Sequence, residues 1–338
     1  MNVRQIAKQA GVSISTVSLV LNSKPGVKQA TRDRIAALLV ENGYEIRTPA
    51  EEPVDTASMR TILFIRYCGL NCVMEPKDEF LIRMMAGVEQ QAQKLGYQLQ
   101  LTNADHTNLD VVLASASGNA AGAVLFATEL EESLLYKLNA CEIPLVMMDA
   151  VLPPAHRNAV TVDNMEAMEQ AVQYLHSLGH TEIGYLHYGI RTGAIPERER
   201  GYYAVMRELG LTVSKSHIIT LSPGADAIYD QMCRILSARR TLPTAFVADS
   251  DVLSISAMRA LQDHGYRIPQ DISLVGFDDI SFCTLCNPPM TTMRYPKEEV
   301  GATAVKRVHE MIQTGDTTVC QLRLYAELII RNSTQERQ

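Results

Sequence analysis

No apolar run in this chain approaches the roughly 18 residues needed to cross a bilayer, and the start, Met1-Asn2-Val3-Arg4, opens a polar amphipathic helix rather than a signal sequence. A membrane protein is therefore excluded and a cytoplasmic one expected. A disulfide framework is missing as well, because seven cysteines are an odd number without dense spacing and fit reduced thiols. No glycine-rich phosphate loop, no catalytic Cys/His pattern and no nucleophile beside a base can be recognised. An enzyme is not expected, nor any cofactor. What is present is length and apolar content: 338 residues, 46% of them hydrophobic, suffice for large cores in two or three domains.

Positive charge is scarce overall, with a net of −7, but it is not evenly scarce. Residues 1–48 hold seven basic side chains (Arg4, Lys8, Lys24, Lys28, Arg32, Arg34, Arg47) against three acidic ones (Asp33, Glu41, Glu45), a net of +4 that leaves −11 for the rest. A small basic head on an acidic body is expected where only the head meets phosphate. The head's pattern agrees. Residues 3–10 and 14–21 read as two short helices around Gly11-Val12-Ser13, with Ile6, Ala7, Ala10, Val12, Val17, Val20 and Leu21 at the spacing of one buried face. Gly11 suits the turn, and Ser13 sits where an N-cap belongs. A third helix over about 30–42 would close a mini-core through Ile35, Leu38 and Leu39 and stop at Gly43. This is a helix-turn-helix.

Past the head, the stretch 47–59 is short of large apolar residues and contains Pro49, Pro53, Glu51, Glu52 and Asp55, as a linker does. Apolar strands then alternate with amphipathic helices: 61–67, 79–95, 98–102, 123–126, 145–148, 160–162, 166–178, 183–186, 198–209, 218–221, 225–238, 245–248, 252–263 and 273–276. A recurrent Gly, as in Leu95-Gly96-Tyr97 and Leu178-Gly179-His180, closes a helix before the next strand. Roughly 230 residues of this alternation exceed one compact sheet. The expected fold class is α/β, a three-helix head plus two doubly wound parallel-sheet lobes with a cleft between them. The expected domains are 1–48, a linker at 49–59, and a two-lobed effector-binding and dimerisation domain at 60–338.

Both parts resemble the lactose/galactose repressor family of bacterial transcription factors. The head carries Ile6-Ala7-Lys8-Gln9-Ala10-Gly11-Val12-Ser13, Thr16-Val17-Ser18, Val20-Leu21-Asn22 and Thr31-Arg32. The body carries Val162-Asp163-Asn164, Gly179-His180, Gly201-Tyr202, Pro269-Gln270-Asp271-Ile272-Ser273, Val275-Gly276-Phe277-Asp278-Asp279-Ile280 and Pro288-Pro289-Met290-Thr291-Thr292. The resemblance implies a homodimer, or a tetramer, whose heads read half-sites of a double-stranded DNA operator. It also implies lobes like those of periplasmic sugar-binding proteins, whose angle changes with a bound effector. Three crossovers would join them, near 159–163, 291–294 and 318–322, with a final strand at 322–330. DNA contacts would come from Ser13, Ile14, Ser15, Thr16, Leu19, Asn22, Thr31 and Arg32. The effector, a sugar or sugar derivative, would meet Asp149, Arg198, Ser250 and Asp278, residue types that suit polyhydroxylated ligands or anions. Tyr67 could stack on a sugar ring or be a core tyrosine.

Several positions depart from the family. Leu19 stands where an arginine is common, so the operator should differ there, with contact to a thymine methyl. Ser250 replaces the usual Asn. Relatives place Asn-x-x-Ala-Arg-x-Leu in the linker, a helix that wedges its leucine into the minor groove; Arg47, Glu51 and Pro53 stand here for the Asn, Arg and Leu. Cys68, Cys72, Cys283 and Cys286 invite a metal or thiol-sensing reading, but C-x2-C without a second metal pair is weak, and no metal is expected. Against a regulated DNA-binding repressor stand two other functions: a small-molecule module with weak or non-specific DNA binding, and an enzyme on the same fold.

Overall fold

The computed structural model describes residues 3–21, 27–42, 44, 60–69, 78–150, 157–190, 193–238 and 241–337. The chain divides into two units, Met1–Met59 and Arg60–Gln338. Asn22, Gly43, Leu70, Asn71, Cys72 and the whole linker at 49–59 lie outside the described residues.

In the first unit, α1 (Val3–Ala10), α2 (Ile14–Leu21) and α3 (Gln29–Glu41) enclose a core in which Ile6, Val17, Ile35 and Leu39 are fully buried. Leu38, expected in that core, is only half-buried at its edge. Gly11 turns the chain with φ +63°, and Val12 N–H donates back to the Ala7 carbonyl. Beyond α3, Asn42 Nδ2 and Tyr44 N donate to the carbonyls of Leu38 and Leu39, satisfying acceptors that a helix end leaves open.

The second unit runs β1 (Arg60–Tyr67), α4 (Glu79–Lys94), β2 (Tyr97–Ala104), α5 (Leu109–Asn119), β3 (Gly122–Phe126), a 3-10 segment (Glu132–Ala140), β4 (Leu145–Met148) and β5 (Asn158–Val162). It continues with α6 (Asn164–Ser177), β6 (Ile183–Tyr188), α7 (Ile195–Glu208), β7 (Ile218–Leu221), α8 (Ala225–Ser237), β8 (Ala245–Ala248), α9 (Asp251–Asp263), β9 (Ser273–Asp278), α10 (Phe282–Leu285), β10 (Thr291–Arg294), α11 (Lys297–Thr314), β11 (Gln321–Leu324) and β12 (Glu327–Ile329). Gly96, Gly179, Gly210 and Gly265 all take left-handed φ, between 68° and 88°, where a helix gives way to the next segment.

Two six-stranded sheets result, ordered β11-β5-β4-β3-β1-β2 and β12-β10-β9-β8-β6-β7. Every pairing is parallel except β10 with β12. Helices α4 and α11 cover one face of the first sheet, and α5 with the 3-10 segment covers the other; α6 and α7 oppose α8 and α9 on the second. One core spans both lobes, from Ile62 and Phe126 through Tyr295 to Phe277 and Val247. Such double coverage is why the strands read as continuous apolar runs. The expected final strand at 322–330 is two strands instead. β11 pairs with β5 in the first sheet, the chain crosses at Tyr325-Ala326, and β12 pairs with β10 in the second. The third crossover therefore lies later than expected, because 321–324 still pairs with β5 in lobe one.

Candidate functional site

On α2 the buried positions are Val17 and Val20, so the helical period turns Ile14, Ser15 and Ser18 outward, with Ile14 49% exposed, while Thr16 and Leu19 are half-buried beside them. Ser13 caps the helix by accepting from Thr16 N–H at 3.1 Å, and its hydroxyl lies within hydrogen-bond distance of those of Ser15 and Thr16. Thr31 and Arg32 occupy the first turn of α3 and are half-buried. Ser18 belongs to the outward face although it was not among the expected contacts; the burial of Val17 and Val20 is the signal that points to it. Arg34 donates to the Ala10 carbonyl at 2.7 Å and so closes the end of α1.

In the body the carboxyl ends of both sheets face each other. All five expected effector residues lie at or near these ends, Tyr67 as the last residue of β1. Asp149 follows β4 with φ 53° and is 2% exposed. Its carboxylate is already engaged, accepting from Thr128 Oγ1 at 2.7 Å and from the Tyr295 hydroxyl at 2.8 Å. Arg198, on the first turns of α7, is likewise held by the protein. Nε donates to Asn164 Oδ1 at 3.0 Å, Nη1 to the Asp249 carbonyl, and Nη2 lies 3.9 Å from Asp278 Oδ1, while the guanidinium covers the Phe277 ring at 3.6 Å. Two of the five guanidinium N–H groups are therefore committed to protein acceptors, and the Nη2 contact with Asp278 is an ion pair rather than a hydrogen bond. Ser250 caps α9 by accepting from Leu253 N–H, and its hydroxyl meets that of Tyr188 at 2.8 Å.

Asp278 differs from the others. It ends β9 with φ 116°, a conformation costly for any residue with a Cβ, and among the described residues its carboxylate has only the distant Arg198 contact. Burial pushes its carboxyl well above the usual carboxylate range, with Asp251 and Asp149 adding to the effect and Arg198 and Lys297 opposing it. Strand-end placement, backbone strain and an available carboxylate mark it as the group most able to meet a ligand.

Tyr67 is a core residue. β1 alternates its faces, and Tyr67 shares the face of Leu63 and Ile65; it is 1% exposed, and its hydroxyl donates to Glu131 Oε2 at 2.7 Å. No ring face is left for stacking. The sequence reading missed Asp249, fully buried and accepting from the Tyr185 hydroxyl, from Tyr188 N–H at 2.7 Å and, at 3.0 Å, from His187 Nδ1 when that nitrogen carries the proton. Period-two spacing along β6, which puts Tyr185 and His187 on one face beside Asp249 of the adjoining strand, was the available signal. Lys297 was also missed; it is fully buried, and Nζ donates to the Asp278 carbonyl.

The cysteines of α10 are occupied with structure. The Cys283 thiol bonds the Asp251 carboxylate, and burial holds it far above the ordinary thiol range, the opposite of a reactive thiolate. Among the described residues no group of three or more His, Cys, Asp or Glu could hold a metal ion, and no helix is long and apolar enough to cross a membrane.

A helix-turn-helix head on a body of two parallel-sheet lobes defines a DNA-binding transcriptional regulator with an effector-binding domain. Residues 2–45 match the family described as bacterial regulatory proteins, lacI family, and residues 172–334 match a periplasmic binding protein-like domain. The head is thus a lacI-family helix-turn-helix and the body a periplasmic binding protein-like domain. The chain is 29% identical to the HTH-type transcriptional repressor CytR of Escherichia coli (strain K12) over 98% of this chain and 96% of the relative. Its fold is that of a transcriptional regulator CelR–cellobiose complex (TM-score 0.72, 24% identity, 98% of this chain and 99% of the other). It is equally that of a lac repressor dimer bound to operator and the anti-inducer ONPF (TM-score 0.72, 21% identity, 99% of each chain).

Proposed function

We propose that the chain represses transcription as a homodimer whose two heads read operator half-sites through Ser13, Ile14, Ser15, Thr16, Ser18 and Leu19. A sugar or sugar derivative bound at the carboxyl ends of the sheets changes the lobe angle and with it the operator affinity. The observation that carries this reading is Asp278, strained and available at the end of β9 between the lobes. The cellobiose held by one similar fold and the operator held by another support it.

A second copy of the chain suits the exposed apolar side chains at the start of α4 and on α10. Ser281 N and Oγ donate to Glu79 at 2.9 and 3.0 Å, which joins α4, carrying Ile82 (49% exposed), to the segment that starts α10, carrying Phe282 (64%) and Leu285 (75%). A lac repressor of the same fold is a dimer. Leu285→Asp should therefore yield a monomer by light scattering, with operator affinity reduced at least tenfold as the second half-site contact is lost, roughly 1.4 kcal/mol or more.

The reading is tested with operators selected from a random DNA library by the full chain. Deleting residues 1–48 should abolish binding to them. A panel of sugars and nucleosides then identifies the effector by thermal shift, roughly 2.7 kcal/mol of stabilisation at a hundredfold excess over Kd. Operator binding unchanged by deletion of the head would overturn the assignment.

A further inference from the structure

We propose that the head selects its operator through the C5-methyl groups of thymine, which Ile14 and Leu19 contact in the major groove, in place of forked hydrogen bonds to guanine or adenine. This rests on the reading that α2 meets the operator and deepens it by naming the base pairs chosen.

The composition of α2 and the direction of its side chains point there. From Gly11 to Leu21 the chain contains no Arg, Lys, Asn, Gln, Asp or Glu. Those are the side chains that tell bases apart by hydrogen bonding, Arg and Lys at guanine, Asn and Gln at adenine, a carboxylate at cytosine. At about 100° per residue, burial of Val17 and Val20 leaves an outward arc with Ser18 and Ser15 in its middle and Ile14 and Leu19 on its flanks. Arg4 and Lys8, exposed on α1, can neutralise phosphate, but phosphate contacts carry no sequence information.

The hydroxyls cannot supply the choice of base. Ser13 Oγ accepts from Thr16 N–H at 3.1 Å and lies 2.6 Å from Ser15 Oγ and 2.8 Å from Thr16 Oγ1, so these three groups are directed at one another. A serine hydroxyl is also both donor and acceptor, and so takes either kind of base edge; Ser15 and Ser18 can hold α2 to the bases without choosing among them. Two apolar side chains remain. Ile14 is 49% exposed and Leu19 half-buried, and neither belongs to the core that Ile6, Val17, Val20, Ile35 and Leu39 form. The thymine methyl is the apolar group on the major-groove edge of a base pair, and burying it against Ile14 or Leu19 is what distinguishes T·A from the other pairs. One such methyl is worth roughly threefold to fivefold in affinity.

The test uses the full chain and the operator it selects from a random DNA library. Each thymine of that operator is replaced in turn by deoxyuridine, which lacks only the methyl. At one or two thymines of each half-site affinity should fall roughly threefold to fivefold. Where those T·A pairs are changed to C·G, 5-methylcytosine should recover part of the loss, because it returns the methyl without thymine's hydrogen-bonding pattern. Ile14→Ala and Leu19→Ala should each render one of these thymines indifferent to uracil, a coupling that altered DNA stiffness would not produce. Ile14 lies outside the core, so its variant keeps the head folded, and the uracil scan of the wild-type protein is decisive without any variant. Uracil tolerated at every thymine overturns the proposal and leaves the repressor reading in place, as does base selectivity lost only in Asn22→Ala. Uracil sensitivity that survives both alanine substitutions overturns the assignment to Ile14 and Leu19. A library that yields no operator overturns the repressor reading, and the proposal with it.

Discussion

Arg198, expected to meet the effector, also braces lobe two. Its guanidinium ties α7 to the start of α6 through Asn164, to the end of β8 through the Asp249 carbonyl, and to β9 through Phe277. Removing it leaves Asp278, the Asn164 side-chain oxygen and the Asp249 carbonyl without this partner, a loss of the kind that costs about 3–5 kcal/mol when one member of a buried charged pair is deleted. Arg198→Ala should thus shift the chemical denaturation midpoint of the body markedly as well as weaken effector binding. Arg198→Lys should rescue little, since an ammonium cannot reach three directions at once or lie flat on Phe277. Stability unchanged in the alanine variant would show that the guanidinium belongs to the ligand instead. Tyr67→Phe makes the contrast: it removes one hydrogen bond to Glu131, about 1 kcal/mol, and should leave effector affinity where it was.

At the scale of elements, Gly193, before α7, and Thr128, after β3, bring the two lobes into close approach. Gly193 has φ +57°, and a Cβ there would collide with the Thr128 carbonyl, next to the hydroxyl that holds Asp149. Gly193→Ala should force the lobes apart and lower effector affinity by about tenfold or more, on top of a backbone cost of roughly 1 kcal/mol. Gly210→Ala is the control. It has the same left-handed backbone, φ +68°, with open space around its Cα, so it should lower stability alike and leave effector affinity unaltered. Equal effector affinities in the two variants would refute the approach as a functional contact.

Much of this element order was legible in the residues. Short apolar runs such as 145–148 and 245–248 are the observed strands, because a strand covered on both faces needs no alternation to be recognised. Helix α5 escaped notice because its small residues, Ala114-Ser115-Ala116-Ser117-Gly118, carry little amphipathic pattern. The division at Tyr325-Ala326 escaped because β11 and β12 join without a turn residue, and which sheet a strand joins is decided by long-range pairing. At the site, motif positions led to Asp149, Arg198, Ser250 and Asp278, but not to which of them has a free valence. That depends on Tyr295, Thr128, Asn164 and Lys297, whose approach is tertiary. Tyr67 was undecidable in sequence, since a strand-end tyrosine reads alike whether its face is core or cleft.

For the whole molecule, the separation of charge fixes what can touch DNA. A head of +4 on a body of −11 restricts phosphate contact to the head and the chain leading from it, and operator affinity should fall steeply with salt as neutralised phosphates are exchanged for counterions. We propose that the linker then decides how the operator is deformed. Relatives gain from a hinge helix whose arginine meets phosphate and whose leucine wedges between base pairs, recovering about a few kcal/mol of unstacking per step. Here Glu51 and Pro53 replace that pair; the proline disfavours helix at Glu52, and Glu51, Glu52 and Asp55 repel phosphate. Half-site affinity should therefore rest on α2 and backbone contacts. The operator should tolerate changes in its central base pairs and stay straighter than those of relatives in a gel-phasing assay. The paired substitution Glu51→Arg with Pro53→Leu should restore both bending and central selectivity. Strong bending by the wild-type protein, undiminished relative to that double variant, would mean that Ile46 or Val54 has taken the role of the wedge.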